Sequence, residues 1–267
     1  MIGHCRLLRP KQILLLLGLL GLSLSAAGQG TGDFTVSFGY NYKGEPRKLP
    51  TFSDNQTGPA KFEVWLHPRF SLRVEDSSFK FKKVKGQARN TGTGDIVFGA
   101  ALTLIDEKPQ RNTPAFAIDY SAKIPVASKG LGSGEVDHQI LGIISRSLTK
   151  RVYGEIDAGV YLTGMPSGSS AKTGLLSLIT NIGLGQPRKG EFKLFLFEEL
   201  DGATHSSAPA SARDPAEVTS TTLIVRKLPR SISLSGGFVI GITPYASRFG
   251  VSLGIKYRGS FRSRCQN

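Results

Sequence analysis

Cysteine, histidine and tryptophan are scarce, with two Cys, four His and one Trp among 267 residues. Cys5 lies in a segment read below as a leader, and Cys265 is the third residue from the C-terminal end of the chain. An internal disulfide is therefore not expected in the mature protein. His67, His138 and His205 are far apart, without CxxC or HxxxH spacing, so no metal site and no cofactor are expected. Beyond the leader, no stripe at i, i+3, i+4 is sustained, and no run approaches the ~20 apolar residues of a transmembrane helix. Acidic residues are also in deficit, with 20 Asp+Glu against 34 Lys+Arg and a formal charge of +14.

The N-terminus explains part of that charge. Arg6, Arg9 and Lys11 precede an apolar run from Ile13 to Leu22, and Ser25, Ala26 and Ala27 follow. A basic region, a short apolar core and small residues in that order form a secretory signal peptide. Residues 1–27 are thus expected to be a signal peptide and 28–267 the mature domain. Cleavage lowers the formal charge to +11. For an exported protein, anionic lipid headgroups and lipopolysaccharide are the expected partners of the remaining basic excess, and nucleic acid is not.

Period-two alternation is abundant. From Phe62 to Val74 one parity reads Phe62, Val64, Leu66, Pro68, Phe70, Leu72, Val74, and the other reads Glu63, Trp65, His67, Arg69, Ser71, Arg73. Strand side chains alternate between faces, so one face is apolar and the other charged. Similar segments run Phe34–Tyr42, Asp95–Asp106, Phe116–Val126, Val136–Leu148, Val152–Leu162, Thr173–Leu184, Phe192–Asp201, Val218–Lys227, Ile232–Ile240 and Phe249–Ile255, with a lysine-laden one at Phe79–Val84. The pattern predicts an all-β fold of about twelve antiparallel strands.

A soluble sandwich would turn the apolar face inward, and a membrane barrel would turn it toward lipid. Three features favour a single transmembrane β-barrel. Strands near ten residues suit a tilted crossing of hydrocarbon. Tyr40, Tyr42, Tyr120 and Tyr257 lie near strand ends on the apolar parity, as an interfacial girdle would. The polar parity mixes both signs of charge with small residues, which suits a crowded lumen. Leu148–Val152, Leu184–Phe192 and Lys227–Ile232 read as short turns at one end, and Leu162–Thr173 and Gly202–Glu217 as loops at the other. Lys43–Lys61 reads as a further long polar connection.

KIPVASKGLGSGEVD, from Lys123 to Asp137, has the glycines of a phosphate cradle. A dinucleotide fingerprint needs G-x-G-x-x-G opening a helix, whereas Gly130, Gly132 and Gly134 precede an alternating strand. Neither GSSAKT nor GQPRKG has Walker spacing. Ser133 lies outside a G-x-S-x-G elbow and His138 on an apolar parity, so a serine hydrolase is not expected either. The block is read as a loop between two strands.

The polar parity supplies the candidate functional residues, the expected lumen lining: Arg69, Arg73, Asp95, Asp119, Lys123, Asp137, Glu155, Asp157, Glu199 and Lys256. Acids and bases of that parity, Arg151 among the bases, are expected to pair across strands and so to shape what passes.

Four stretches carry a resemblance running from about Phe62 to Arg258. They are GTGDIVFGAAL at Gly92, KIPVASKGLGSGEVD at Lys123, LFLFEELDG at Leu194 and GFVIGITPYASRFGVSLGIKYR at Gly237. Together they resemble motifs of the outer-membrane transporter barrels of the MetA-pathway of phenol degradation family. Pro125, Val126, Ala127 depart from its proline-threonine-glycine, and GSFRSRCQN extends beyond the aromatic end at Tyr257, leaving Phe261 as a terminal aromatic. The resemblance implies an outer-membrane barrel that passes hydrophobic or aromatic compounds, with no catalytic residue. The expected function is a passive channel for a small-molecule solute in the outer membrane of a Gram-negative bacterium. The alternative is a non-transporting structural or interaction barrel. Oligomeric state is left open.

Overall fold

The computed structural model describes residues 30–44, 54–83, 88–132, 134–164, 170–187, 191–205, 217–244 and 246–261. The expected signal peptide, the loop tip around Pro209 and the tail with Cys265 lie outside the described residues. Thirteen strands follow in order: β1 (Asp33–Gly44), β2 (Asp54–His67), β3 (Phe70–Lys83), β4 (Asn90–Gly92), β5 (Ile96–Ile105), β6 (Ala115–Ile124), β7 (Asp137–Ser147), β8 (Val152–Gly164), β9 (Ser170–Leu184), β10 (Leu194–His205), β11 (Glu217–Lys227), β12 (Ile232–Gly241) and β13 (Phe249–Ser260). β4 is a three-residue strip on the end of β3. The other twelve pair antiparallel, each with its sequence neighbours, and β1 pairs with β13 from Asp33↔Ser260 to Lys43↔Gly250. The sheet therefore closes on itself as a twelve-stranded barrel, leaving no long edge unpaired.

Alternation builds the two faces. On β5, Phe98, Leu102 and Leu104 are exposed, while Gly99 between them is buried. On β6, Ile118 and Tyr120 are exposed, and Asp119 and Ser121 are buried. Leu72, Ile140, Ile156, Leu178, Ile224, Phe238 and Leu253 continue the exposed apolar belt around the ring. A continuous belt of this kind is a liability in water and the required surface in hydrocarbon. No helix among the described residues is long and apolar enough to cross a membrane, which leaves a strand crossing untouched.

Successive antiparallel strands turn at alternate rims. Residues 68–69, 148–151 and 228–231 are tight turns on the side of the chain's two strand ends, Asp33 and Ser260. Residues 125–132 and 134–136, between β6 and β7, lie at the opposite rim. In the β7–β8 turn, Leu148 N–H donates to the Val152 carbonyl at 2.8 Å.

The expected count of strands agrees with the structure, but the division near β2 and β3 does not. Phe62–Val74 is two strands folded over the turn at Pro68 and Arg69, with Val64↔Leu72 and Trp65↔Ser71 paired. Both members of each pair keep the same parity, so the hairpin reads as one unbroken alternation. Of the segment expected from Phe79 to Val84, Phe79 to Lys83 belongs to the far half of β3, set apart by a bulge that skips Ser78 between Gly58↔Phe79 and Pro59↔Ser77, and Val84 lies outside the described residues. The extra residue inverts the parity, turning Lys80 to the inner face and Phe79 to the outer. The connection expected from Lys43 to Lys61 is correspondingly shorter, because β2 begins at Asp54.

Candidate functional site

The inner face is where the charged side chains collect, and β-register decides which of them meet. Arg73 of β3 lies beside Gly99 of β5, which lacks a side chain, so the guanidinium reaches across to Asp119 on β6. Its two terminal nitrogens both donate to that carboxylate, one of them to Oδ1 at 2.7 Å. Asp119 is only 5% exposed, so the fork replaces the water that a buried carboxylate would otherwise need. Lys61 and Glu63 form a looser contact on β2 at 3.8 Å, and Ser71 donates to Glu63 at 2.9 Å.

A second cluster ties the loop-side rim. Lys123 pairs with Asp137 across the β6–β7 register and lies 3.5 Å from Asp95. Asp137, 2% exposed, also accepts from the Tyr161 hydroxyl at 2.7 Å and from Gly164 N–H at 3.0 Å. Asp95 accepts from Ala127 N–H at 3.0 Å. These partners explain the glycine block between Lys123 and Asp137. A side chain at Gly132 would come within 2.7 Å of both Asp95 carboxylate oxygens, and Gly130 and Gly134 adopt φ of +79°. The loop is further held by Lys80, whose ammonium donates to the Leu131 carbonyl at 2.7 Å from the inner face of β3. The glycines thus serve close packing of a loop against the barrel mouth. Ser133 lies outside the described residues.

The remaining expected acids behave differently. Glu155, Ile179 and Glu199 stand in one register row across β8, β9 and β10, and Asp157, Ser177 and Asp201 stand in the next. Among the described residues none of these four carboxylates forms an ion pair. Their partners are hydroxyls: Tyr153 donates to Glu155, and Ser177 to Asp201 at 2.9 Å. The expectation that acids and bases of this parity pair across strands therefore holds for Asp95, Asp119 and Asp137, and fails for Glu155, Asp157 and Glu199. The reason is register, because β8 to β10 bring carboxylates beside one another and no lysine or arginine of the inner parity lies on those strands.

The expected bases divide in the same way. Arg69 stands in the β2–β3 turn, half-exposed, and pairs with Asp106 of the neighbouring connection, so it belongs to the rim. Arg151 sits in the β7–β8 turn with its guanidinium 5.5 Å from the Phe192 ring. Lys256 lies on the inner parity of β13, opposite Ser37 and Ser233. His67 is in the turn region, where its Nδ1 accepts from Arg69 N–H at 3.2 Å. His138 faces outward, with its Nδ1 2.9 Å from the Tyr120 hydroxyl.

Some inner-face residues were not singled out in the sequence. Asp201 shares the parity of Glu199, and Asn181 that of Ile179, so alternation alone could have found both. Trp65, 8% exposed, is the one tryptophan and lies on the inner parity of β2. Ile179, Phe197, Leu223 and Val225 form a buried apolar cluster on the wall of β9 to β11, with Phe195 against it. Among the described residues no group of His, Cys, Asp and Glu could hold a metal ion.

A closed antiparallel barrel with an apolar exterior and a charged interior has the build of a transmembrane β-barrel. No family model and no curated protein matches the sequence. In structure, the chain is similar to an outer membrane channel from Pseudomonas putida F1, with a TM-score of 0.64. The likeness covers 87% of this chain and 97% of that one at 10% sequence identity, and so establishes a common fold.

Proposed function

We propose that the protein is an outer-membrane channel through which small molecules pass passively along the charged inner face. The observation that carries this reading is the closure of twelve strands with an apolar belt outside and ionisable side chains inside. That division of surface suits lipid on one side and an aqueous path on the other. The fold shared with an outer membrane channel supports it, as does the expected signal peptide.

Among the proposed lining residues, Arg73, Asp119, Lys123, Asp137, Glu155, Asp157, Glu199 and Lys256 stand on the inner parity, while Arg69 and Asp95 flank the two mouths. The buried cluster of Ile179, Phe197, Leu223 and Val225 gives the path an apolar stretch of wall. This supports passage of solutes with a hydrophobic or aromatic part, as the family resemblance implies. No covalent step is involved. Selectivity arises from lumen radius, charge and the loops at the mouth.

Reconstitution of the refolded barrel in planar bilayers should give discrete single-channel currents. Complete electrical silence of correctly folded protein would assign it instead to the structural-barrel alternative.

A further inference from the structure

Across the interior, charge is sorted by wall. β8, β9 and β10 present Glu155, Asp157, Glu199 and Asp201 in two adjacent register rows. The strands half a ring away, β1, β2 and β3, carry a net excess of bases, with Lys61, Arg73 and Lys80, and Lys256 beside them on β13, against Glu63 and Glu75 of the same face. Opposed walls of opposite sign create a field across the lumen instead of along it, and a low-dielectric surround strengthens that field. The acidic wall contains more than an accumulation of carboxylates. Asn181, one row below Glu155 and Glu199 and flanked by Tyr153 and Phe197, is only 5% exposed. Neither its amide oxygen nor its amide nitrogen has a hydrogen-bond partner in the protein, and one oxygen of Asp157 is equally buried and unpartnered. Buried polar atoms in native structures are ordinarily satisfied, and of the three unused acceptors among the described residues two, Asn181 Oδ1 and Asp157 Oδ1, stand beside these carboxylates, the third being Asn55 Oδ1 on β2. The two together mark a place for a donor from outside the chain.

We infer that the inner wall of β8–β10 is a binding site for the cationic nitrogen of a permeating solute, such as a small organic amine. The inference rests on the channel reading and names its solute class. An ammonium brings several N–H donors and no acceptor, which matches a wall of carboxylates and an amide oxygen. The apolar cluster that adjoins these carboxylates, with Ile179 seated between Glu155 and Glu199, would take the solute's hydrocarbon part. The basic wall opposite orients an anionic group away from the acids, so zwitterions fit better than dianions.

The test compares wild type with Glu155→Gln/Glu199→Gln, using 1,4-diaminobutane as cation and succinate as anion. Calorimetric titration of the refolded barrel should show diaminobutane binding that weakens at least about tenfold in the variant, with succinate binding weaker in wild type. In bilayers, diaminobutane should block current in wild type, and the reversal potential in a KCl gradient should move toward anion preference in the variant. No diaminobutane binding to wild type, or binding and block unchanged in the variant, overturns the site. Binding that the variant loses, without any current from either protein, keeps the site and overturns the channel. Current without diaminobutane binding keeps the channel and overturns the site. Asp157→Asn serves as a second variant should the double substitution fail to fold, and the same outcomes apply.

Discussion

Asp137 illustrates how much one side chain can hold together. It receives an ammonium, a phenol hydroxyl and a backbone N–H, from β6, β8 and the end of β8. Asp137→Ala would remove the partner of Lys123 across the β6–β7 register and the acceptor of the Tyr161 hydroxyl. Breaking such a buried pair by removing one partner costs about 3–5 kcal/mol. The expected result is a lower urea midpoint for the transition between folded and unfolded gel mobilities. A second residue tests the outer face. Glu198 falls on the apolar parity between Leu196 and Leu200, in register with Thr180 and Thr222, and accepts from the Thr222 hydroxyl at 2.9 Å. In the membrane placement proposed above, a carboxylate there faces lipid. Glu198→Leu is expected to raise stability in bilayers by about 1 kcal/mol after loss of the threonine hydrogen bond. An unchanged or lower urea midpoint in lipid vesicles would contradict the outward placement.

For the strands, the sequence was most informative where alternation was uninterrupted. β8, with Ile156 and Val160 against Glu155 and Asp157, could be read almost residue by residue. Its neighbours on the acidic wall were legible in parity but not in pairing, because pairing depends on register, and register is set by turns whose geometry a single sequence does not disclose. The β2–β3 hairpin was hidden for a related reason: the two-residue turn inverts parity at His67↔Phe70, and the extra residue Leu66 restores it at Trp65↔Ser71. The bulge at Ser78 then inverted parity inside one strand, so that its far half read as a separate segment. The Arg73–Asp119 pair could be foreseen as two charges of one face, though not its reach over Gly99. That reach makes a double-mutant test at this element level. Arg73→Met should destabilise the β3–β5–β6 wall by about 3–5 kcal/mol by stranding Asp119. Adding Asp119→Leu should recover most of the loss, since the pair replaced by apolar groups is near neutral. Urea-dependent mobility of the two variants gives both numbers, and equal losses would show that Asp119 has other support.

Taken whole, the molecule offers its own optical reporter. Trp65 is the single tryptophan and is buried on the inner parity of β2, beside the turn into β3. Folded protein in detergent should therefore emit at shorter wavelength than protein in urea, and the shift should coincide with the change in heat-modifiable gel migration. Polar quenchers added to the bulk should reach Trp65 poorly while the barrel is intact. Recovery of the intact protein in the soluble periplasmic fraction, without a heat-dependent mobility shift, would reject the membrane placement altogether.

The seam between β1 and β13 has a kinetic consequence. Its partners stand at opposite ends of the described chain: Asp33 faces Ser260 and accepts from Arg258 at 3.1 Å, and the Phe34 and Phe261 rings lie 4.6 Å apart. No intermediate lacking the last strand can complete the ring. Until β13 is available, β1 and β12 each keep a bare row of amides and carbonyls, in a chain whose apolar faces are already exposed. Long-range pairing of this kind is slow and vulnerable to aggregation. A chain exported and inserted as proposed above thus depends, between those two events, on something that holds it unfolded and apart from its copies, and the final hydrogen bonds at the seam mark the end of that dependence.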